Sequence, residues 1–280
     1  MVKLGASDLF SLAGKTVLLT GASGYLGRTM VRGFLSNGAR VIALGRSERL
    51  QESVRQWRDE FGAQSAEAHQ IDMYDLDALA ALLDRINAAE ARLDVLVNNA
   101  HELGPATGFN VPAGAMDEFT LDVWQRNLTG GVIWPALAIQ KAGVKMKAAG
   151  AGSIINISTM YAMVAPSPAL YEGTDFMNPP GYSASKAALL AFTRYAASFW
   201  GKYGIRSNAI LPGPFSNVED AGPNAVRSDD FFLTRLKERT CLGRIGKPHE
   251  LVGALLFLAS DASSYLTGQA IAVDGGWTVT

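Results

Sequence analysis

The sequence predicts an α/β fold in which helices cover both faces of a parallel sheet, a three-layer, doubly wound arrangement. Short apolar runs alternate along the chain with longer segments of helical periodicity. Several runs, such as residues 17–19, are apolar throughout, as expected for strands that are buried on both faces. No linker separates two self-contained patterns, so we expect one domain spanning residues 1–280.

Each element follows from its local pattern. The β-branched and apolar runs predict seven strands, at residues 15–20, 40–44, 68–71, 93–98, 153–157, 205–211 and 270–274. The helical periodicity predicts four main helices, at residues 28–37, 49–61, 76–89 and 182–200. Three further segments are expected within the domain: an N-terminal extension at 1–13, an insertion at 160–181 and a substrate loop at 214–237.

Composition excludes several classes of protein. The chain has 25 Lys and Arg against 26 Asp and Glu, so it lacks the basic surplus of a protein that binds nucleic acid or an anionic membrane. No apolar run reaches the roughly 18 residues of a membrane span, and the N-terminus lacks a signal-peptide pattern. Cys241 is the only cysteine, which excludes an intrachain disulfide and favours a cytoplasmic location. The three histidines lack metal-ligand spacing, so no metal site is expected.

A glycine-rich turn joins the first strand to the first helix at residues 20–27. Its glycines allow a tight turn and a close approach of backbone N–H groups to a pyrophosphate, which the helix N-terminus also attracts. A strand–helix turn without a ligand is the alternative. The turn predicts a dinucleotide site with contacts from Gly21, Ser23, Tyr25, Leu26 and Gly27.

The end of the second strand indicates which dinucleotide is bound. An acidic residue at this point, roughly 20 residues after the turn, would bind the ribose hydroxyls of NAD. The sequence instead has Arg46 and Ser47, whose guanidinium and hydroxyl suit a 2′-phosphate, so NADP is predicted over NAD. Asp72, followed by Met73, is placed to accept a hydrogen bond from the adenine amino group. The alternatives are that Arg46 is a solvated loop charge and that Asp72 caps a turn or helix.

Proton-transfer chemistry is indicated by Tyr182 and Lys186, which are one helical turn apart on one helix face. A neighbouring ammonium is expected to lower the pKa of the phenol, which could then exchange a proton with a substrate oxygen. Of the eight tyrosines, only Tyr182 is followed by a lysine four residues later. The fifth strand ends at Ser158 and Thr159, where a hydroxyl donor to the same oxygen is needed.

These residues together resemble the short-chain dehydrogenase/reductase family in its single-domain branch. The resemblance covers nearly the whole chain and includes residues 94–100, 127–130, 208–213 and 273–276. It implies a Rossmann fold, a homodimer or homotetramer, and a role for Asn127 in holding a water of a proton relay. It implies a catalytic set of Asn127, Thr159, Tyr182 and Lys186. It also implies that Asn99 and Ala100 line the adenosine-ribose side, and that Pro212 and Gly213 border the nicotinamide.

The chain departs from the family pattern at several places. Tyr25 and His101 replace the usual glycines, and Thr159 replaces serine, which leaves Ser158 as an alternative hydroxyl donor. The insertion at 160–181 is similar to a subgroup of sugar and gluconate-dehydrogenase-like enzymes; packing on a subunit interface is its alternative role. The expected substrate-pocket residues are Ser158, His101, Tyr161 and Tyr171.

The sequence therefore predicts an NADP-dependent oxidoreductase acting on a secondary alcohol or ketone, and a sugar-like or hydroxy-acid substrate is one expectation. A 3-oxoacyl thioester reductase shares the whole framework and remains an alternative. A non-catalytic NADP-binding sensor is the alternative of another class, although the intact Tyr182 and Lys186 pair disfavours it. An epimerase would need a larger C-terminal region than this chain has.

Overall fold

A seven-stranded sheet forms the centre of the computed structural model, which describes residues 5–216 and 230–280. All neighbouring strands pair in parallel, in the order β3-β2-β1-β4-β5-β6-β7. The strands are β1 Thr16–Thr20, β2 Arg40–Gly45, β3 Ala66–Gln70, β4 Val95–Asn98, β5 Gly152–Ile157, β6 Ile205–Pro212 and β7 Ala270–Val273. The strand order reverses between β1 and β4, which opens a crevice at their carboxyl ends.

Helices lie on both faces of this sheet. Those of the described residues are α1 Ala6–Leu9, α2 Tyr25–Ser36, α3 Arg49–Phe61, α4 Leu76–Ala89, α5 Leu121–Leu128, α6 Trp134–Ala149, α7 Pro180–Trp200, α8 Asp230–Glu238 and α9 Val252–Ala259. A π-helical turn at Thr129–Ile133 joins α5 to α6. Helices α2, α3 and α9 pack on one face, and α4, α6 and α7 pack on the other. The three predicted layers are thus confirmed.

The core is divided by the alternation of side chains along the strands. Val17 and Leu19 of β1 pack with Phe34 of α2, whereas Leu18 between them packs with Leu79 of α4. All these side chains are buried. A parallel strand that contributes to two cores must be apolar at every position, which explains the continuous apolar runs of the sequence.

Buried amides connect the central strands to α7. Asn98 of β4 donates from Nδ2 to Oδ1 of Asn156 on β5, at 2.8 Å. Asn156 in turn donates to Oγ1 of Thr193 on α7, also at 2.8 Å. Buried polar groups are costly unless hydrogen-bonded, so this chain fixes the position of α7 relative to the sheet. Helix α7 is the element that carries the predicted catalytic tyrosine.

The predicted strands all exist, and the four main helices are found with shifts only at some ends. Helix α2 begins at Tyr25, three residues earlier than expected, because the helix starts immediately after the glycine turn. The sequence interpretation did not identify the continuous segment from α5 to α6. The described part of the predicted extension, residues 5–13, contributes to the core through Leu12, which is completely buried.

The predicted loop at 214–237 lies partly outside the described residues, since 217–229 are not among them. Its last residues belong to α8. Within the described chain, no helix combines the length and apolarity needed to span a membrane.

Candidate active site

A cavity of about 810 Å³ opens at the carboxyl ends of the central strands. It extends from the glycine turn after β1 to the start of α7. Of the residues predicted from sequence for the cofactor and substrate sites, all line this cavity except Asn127, Tyr161 and Tyr171. Open α/β sheets bind ligands in this crevice, so the fold and the predicted residues indicate the same place.

The glycine turn is closed by contacts that leave no room for a side chain. A Cβ on Gly27 would lie 2.1 Å from the carbonyl oxygen of Gly21, and Gly21 itself has a φ of +71°. Asn99 Nδ2 donates to the carbonyl oxygens of Thr20 and Gly21, at 3.1 Å each. The turn is therefore held against the loop after β4, with the N-terminus of α2 directed at the cavity.

Beside the glycine turn, the cavity is lined by Arg46 and Ser47 after β2, together with Asp72. Oγ of Ser47 accepts a hydrogen bond from the backbone N–H of Arg49 at 3.2 Å. Asp72 Oδ1 accepts one from the backbone N–H of Tyr74 at 3.1 Å, so this carboxylate stabilises a turn as well as lining the cavity. Both interactions leave lone pairs or protons for a ligand.

A carboxylate that the sequence interpretation missed lies beside Arg46. Oε1 of Glu102 is 3.2 Å from Nη2 of Arg46 and 3.3 Å from Nη1. The sequence at the end of β2 gave no sign of this partner, because the loop after β4 brings Glu102 across from a distant part of the chain. Its only sequence signal was its position just after the carboxyl end of a central strand.

Tyr182, Lys186 and Thr159 meet at the nicotinamide-proximal end predicted from sequence. Nζ of Lys186 donates to the carbonyl oxygen of Ile157 at 2.8 Å and lies 5.9 Å from the centre of the Tyr182 ring. Lys186 is 3% exposed. The Ser158 hydroxyl donates to the carbonyl oxygen of Lys186 at 3.0 Å, whereas the Thr159 hydroxyl is directed towards the Tyr182 phenol. Of the two alternative donors, Thr159 is thus the one facing the phenol.

Burial dominates the protonation of this pair. It raises the pKa of Tyr182 to about 12, against the opposing effect of the Thr159 hydrogen bond. It also lowers the pKa of Lys186 to about 7, since a charged ammonium loses its hydration there. The expected acidification of the phenol by Lys186 is therefore not found in the protein alone, because desolvation favours the neutral form of both groups.

His101 lies deep in the cavity wall and packs edge-on against Tyr182, with ring centroids 5.0 Å apart. Burial and the nearby Lys186 charge lower the pKa of His101, despite an opposing effect from Asn127. Neither ring nitrogen of His101 nor Oδ1 of Asn127 has a hydrogen-bond partner among the described residues. A Cβ on Gly131 would collide with the side chain of Ser185 and would also approach Cε1 of His101 to 3.3 Å, so the π-helical turn packs closely against both α7 and this imidazole.

Asn127 lies at the end of α5 and is completely buried. Its Nδ2 group donates to the carbonyl oxygens of Thr107 and Val123, at 3.0 and 2.9 Å. The side chain thus joins α5 to the loop after β4. It stands behind the cavity wall rather than in it.

The insertion places its two tyrosines away from the cavity. The Tyr161 and Tyr171 hydroxyls are 3.4 Å apart and buried, and Tyr171 also contacts Phe176 and Phe232. Arg235 of α8 donates to the carbonyl oxygen of Glu172 at 2.5 Å. Neither phenol lines this cavity, because the insertion packs with α8 in an aromatic cluster. Tyr171 is enclosed in that cluster, which corrects its predicted place, whereas Tyr161 also borders a separate apolar groove beside the insertion.

Several residues that line the cavity were not predicted from the sequence. They come mainly from the long loop after β4, where Phe109 packs edge-on against Tyr182 with ring centroids 5.0 Å apart. The next residue, Asn110, has a φ of +56°, and Leu103 is an exposed apolar side chain. The cavity therefore has an apolar wall, which is formed by Leu103, Phe109, Trp134 and Phe215.

The arrangement fits a dinucleotide. The glycine turn forms a cradle that a side chain would fill, the α2 N-terminus favours an anion, and Arg46 offers a guanidinium beside the turn in the same cavity. Tyr182, Thr159 and Lys186 supply polar groups elsewhere in this cavity. The residues present are therefore those that a nicotinamide cofactor requires.

Comparison with known proteins gives the same result. The family model described as enoyl-(acyl carrier protein) reductase matches residues 21–278. The chain is 33% identical to cis-4-hydroxycyclohexanecarboxylate dehydrogenase of Sinomonas cyclohexanicum, covering 96% of this chain and 98% of the relative. It is 32% identical to gluconate 5-dehydrogenase of Gluconobacter oxydans, covering 98% of each chain.

A solved structure supports the fold independently. A gluconate 5-dehydrogenase from Burkholderia cenocepacia, in complex with NADP and tartrate, is 30% identical and aligns with a TM-score of 0.82. The alignment covers 99% of this chain and 100% of that one. The chain therefore belongs to the short-chain dehydrogenase/reductase family, as an oxidoreductase that acts on CH–OH groups.

Proposed function

We propose that this protein is an NADP-dependent dehydrogenase whose substrate is a secondary alcohol of a hydroxylated carboxylic acid, or the corresponding ketone. The observation that carries the proposal is the convergence of Thr159, Tyr182 and Lys186 on the cavity that also contains the glycine turn. The relatives support the substrate class, since gluconate and 4-hydroxycyclohexanecarboxylate are both hydroxy acids.

The cofactor, when bound, supplies the hydride donor or acceptor. The turn residues and the α2 N-terminus would hold its pyrophosphate, and Arg46 and Ser47 would hold a 2′-phosphate. Asn99 and Ala100, which line the same cavity, would border the adenosine ribose, and Pro212 and Gly213 would border the nicotinamide. The preference for NADP over NAD is supported by the guanidinium of Arg46, which suits a phosphate dianion.

Tyr182 transfers the proton in this proposal. In ketone reduction, its neutral phenol donates to the substrate oxygen while Thr159 donates a second hydrogen bond to that oxygen. The raised pKa of Tyr182, caused by burial, keeps the phenol protonated at neutral pH and so suits this direction. Lys186 lies one turn further along α7, and because its pKa is about 7 a fraction of it is protonated at neutral pH. This ammonium would return a proton to the Tyr182 phenolate and become a neutral amine. Asn127 and His101 fix the cavity wall behind these groups.

A second candidate is a 3-oxoacyl thioester reductase. An apolar groove of about 460 Å³ adjoins the insertion and includes Met116, Met163, Val164 and Met177. Such a surface suits an acyl chain better than a polyol. A polyol or hydroxy acid would gain little from this groove, so a substrate panel separates the two candidates.

The wider organisation is part of the proposal. We expect one domain over residues 1–280 in a homodimer or homotetramer, with a cytoplasmic location suggested by the single cysteine. Exposed apolar side chains support self-association, including Leu128, Tyr195 and Phe199 on the helical face. Sedimentation at micromolar concentration tests this part, and a clean monomer would contradict it.

The decisive experiment uses the purified chain with NADP and NAD, each against gluconate-like acids, polyols and a 3-oxoacyl thioester. We expect turnover with a hydroxy acid that falls by about 10³-fold in Tyr182→Phe, because proton transfer at this position is lost. Tyr265→Phe is the matched control, since Tyr265 is fully exposed and remote from the cavity. Equal activity of Tyr182→Phe and the wild type would end the proposal.

A further inference from the structure

The adenosine end of the cavity contains an ion-pair network that is anchored from the inside. Glu102 lies in the loop after β4, and its side chain is 14% exposed. Oε2 accepts hydrogen bonds from Nε of Arg126 at 2.5 Å and from the hydroxyl of Tyr74 at 2.8 Å. Oε1, which takes part in neither bond, faces Arg46 at 3.2 Å.

Its inner partners hold Glu102 in place. The guanidinium of Arg126 lies over the Tyr74 ring, 3.9 Å from its centre, and Tyr74 contacts Trp134 edge-on at 4.6 Å. Burial by itself raises the pKa of Glu102, but the hydrogen bonds from Arg126 and Tyr74 outweigh it and lower the pKa. The carboxylate is therefore ionised at neutral pH and is not free to rotate away.

Arg46 is held more loosely than Glu102. Its side chain is 60% exposed, and its guanidinium contacts only one oxygen of the carboxylate at distances above 3 Å. In the proposed function this guanidinium is also the group that binds a 2′-phosphate. The anchored carboxylate and an incoming phosphate thus require the same cation, and they repel each other.

We propose that Glu102 is a specificity-determining residue, which competes with the cofactor 2′-phosphate for Arg46 and narrows the preference for NADP over NAD. The inference rests on the proposed function of Arg46. The 2′-phosphate of NADP can reach the Arg46 guanidinium only if this group moves away from Glu102 or contacts the phosphate and the carboxylate together. NAD lacks the phosphate and leaves the ion pair intact. The chain then accepts both cofactors more evenly than Arg46 alone would allow.

The test measures binding of cofactor fragments to the full chain by calorimetry. The probes are 2′,5′-ADP, which carries the phosphate, and 5′-AMP, which does not. Glu102→Gln keeps the size of the side chain and its ability to accept from Arg126 and Tyr74 but removes the charge. We expect 2′,5′-ADP to bind about fivefold more tightly to this variant, the size of effect of a partly exposed ion pair. Binding of 5′-AMP should change less than about twofold.

Two controls define the origin of the effect. Glu60→Gln removes an equal charge from the Glu60–Arg32 ion pair, which lies outside the cavity, and should change neither affinity. In an Arg46→Gln background, Glu102→Gln should lose most of its effect on 2′,5′-ADP, because the contested cation is gone. Glu102→Asp withdraws the charge by one methylene and should tighten 2′,5′-ADP binding by a smaller factor, which keeps the test decisive if Glu102→Gln does not fold.

An unchanged or weaker affinity for 2′,5′-ADP in Glu102→Gln would overturn the inference, since the carboxylate would then be neutral or would help to position Arg46. The proposed function fails differently: the wild-type chain would bind neither NADPH nor NADH in a fluorescence titration. Binding of both dinucleotides with a selectivity that Glu102 does not influence would defeat only the role of Glu102.

Discussion

The two ends of the cavity differ in the solvent exposure and in the partners of their basic side chains. At the adenosine end, Arg46 is largely exposed and has a carboxylate partner in Glu102. At the chemistry end, Lys186 is 3% exposed and makes no ion pair among the described residues, but donates to a backbone carbonyl. Arg46 remains in contact with solvent, whereas desolvation lowers the pKa of Lys186 to about 7. The difference in solvent exposure therefore suits Arg46 to binding an anion and Lys186 to exchanging a proton.

The largest effect expected from this contrast is on catalysis. Lys186→Met removes the buried amine that replaces the proton of Tyr182, so kcat should fall by about 10³-fold. Lys202→Met, at an exposed lysine outside the cavity, should leave kcat within about twofold. Steady-state kinetics with saturating cofactor measures both variants. If Lys186→Met lost less than about tenfold, the buried amine would not belong to the proton path.

The same lysine should make stability depend on pH. Its pKa is 10.5 in the unfolded chain and about 7 in the folded protein, so the unfolded chain binds more protons between these values. Stability should therefore rise as pH increases from about 7 towards 10.5, and fall as pH decreases through that range. Lys186→Met lacks this contribution.

Urea unfolding at several pH values between 7 and 9.5 measures the effect. The difference in unfolding free energy between Lys186→Met and the wild type, which favours the variant at pH 7, should shrink at higher pH. Parallel pH profiles of the two proteins would show that Lys186 keeps its ordinary pKa, and the contrast between the two ends would weaken.

The smallest expected effect comes from salt. An increase from 0.05 to 0.5 M NaCl should weaken NADPH binding by about threefold, because the exposed Arg46 is screened. At saturating cofactor, kcat should change less than about twofold, since the charges near Tyr182 are buried. NADH binding is the control, as it lacks the phosphate. A kcat that falls as steeply as the affinity would show that solvent ions reach the chemistry end as well.

Local sequence patterns were sufficient for much of the fold. The seven strands follow from apolar runs because a strand buried on both faces leaves a continuous signal. The glycine turn and the spacing of Tyr182 and Lys186 are also local, because one strand–helix turn and one helical turn bring those groups together. Helices α5 and α6 were missed, since the π-helical turn at Thr129–Ile133 interrupts their periodicity.

The chemistry of the site was less accessible from sequence. Tyr161 and Tyr171 were expected in the substrate pocket, but both pack into the aromatic cluster that the insertion forms with α8. Sequence alone does not show whether a buried aromatic side chain faces the cavity or such a cluster. Sequence spacing likewise gave the proximity of Tyr182 and Lys186 but not their desolvation. The pKa directions of both groups depend on burial, which no local pattern specifies.

By itself, the sequence determined the doubly wound fold, the position of the dinucleotide turn and the residues at the ends of the strands. These features depend on short-range periodicity and on the fixed geometry of helices and turns. Only the tertiary structure decided that Glu102 meets Arg46, that Thr159 faces the phenol and that His101 lies behind it. The physical reason is that these contacts join segments separated along the chain, and both their distances and their hydration exist only once the layers have packed.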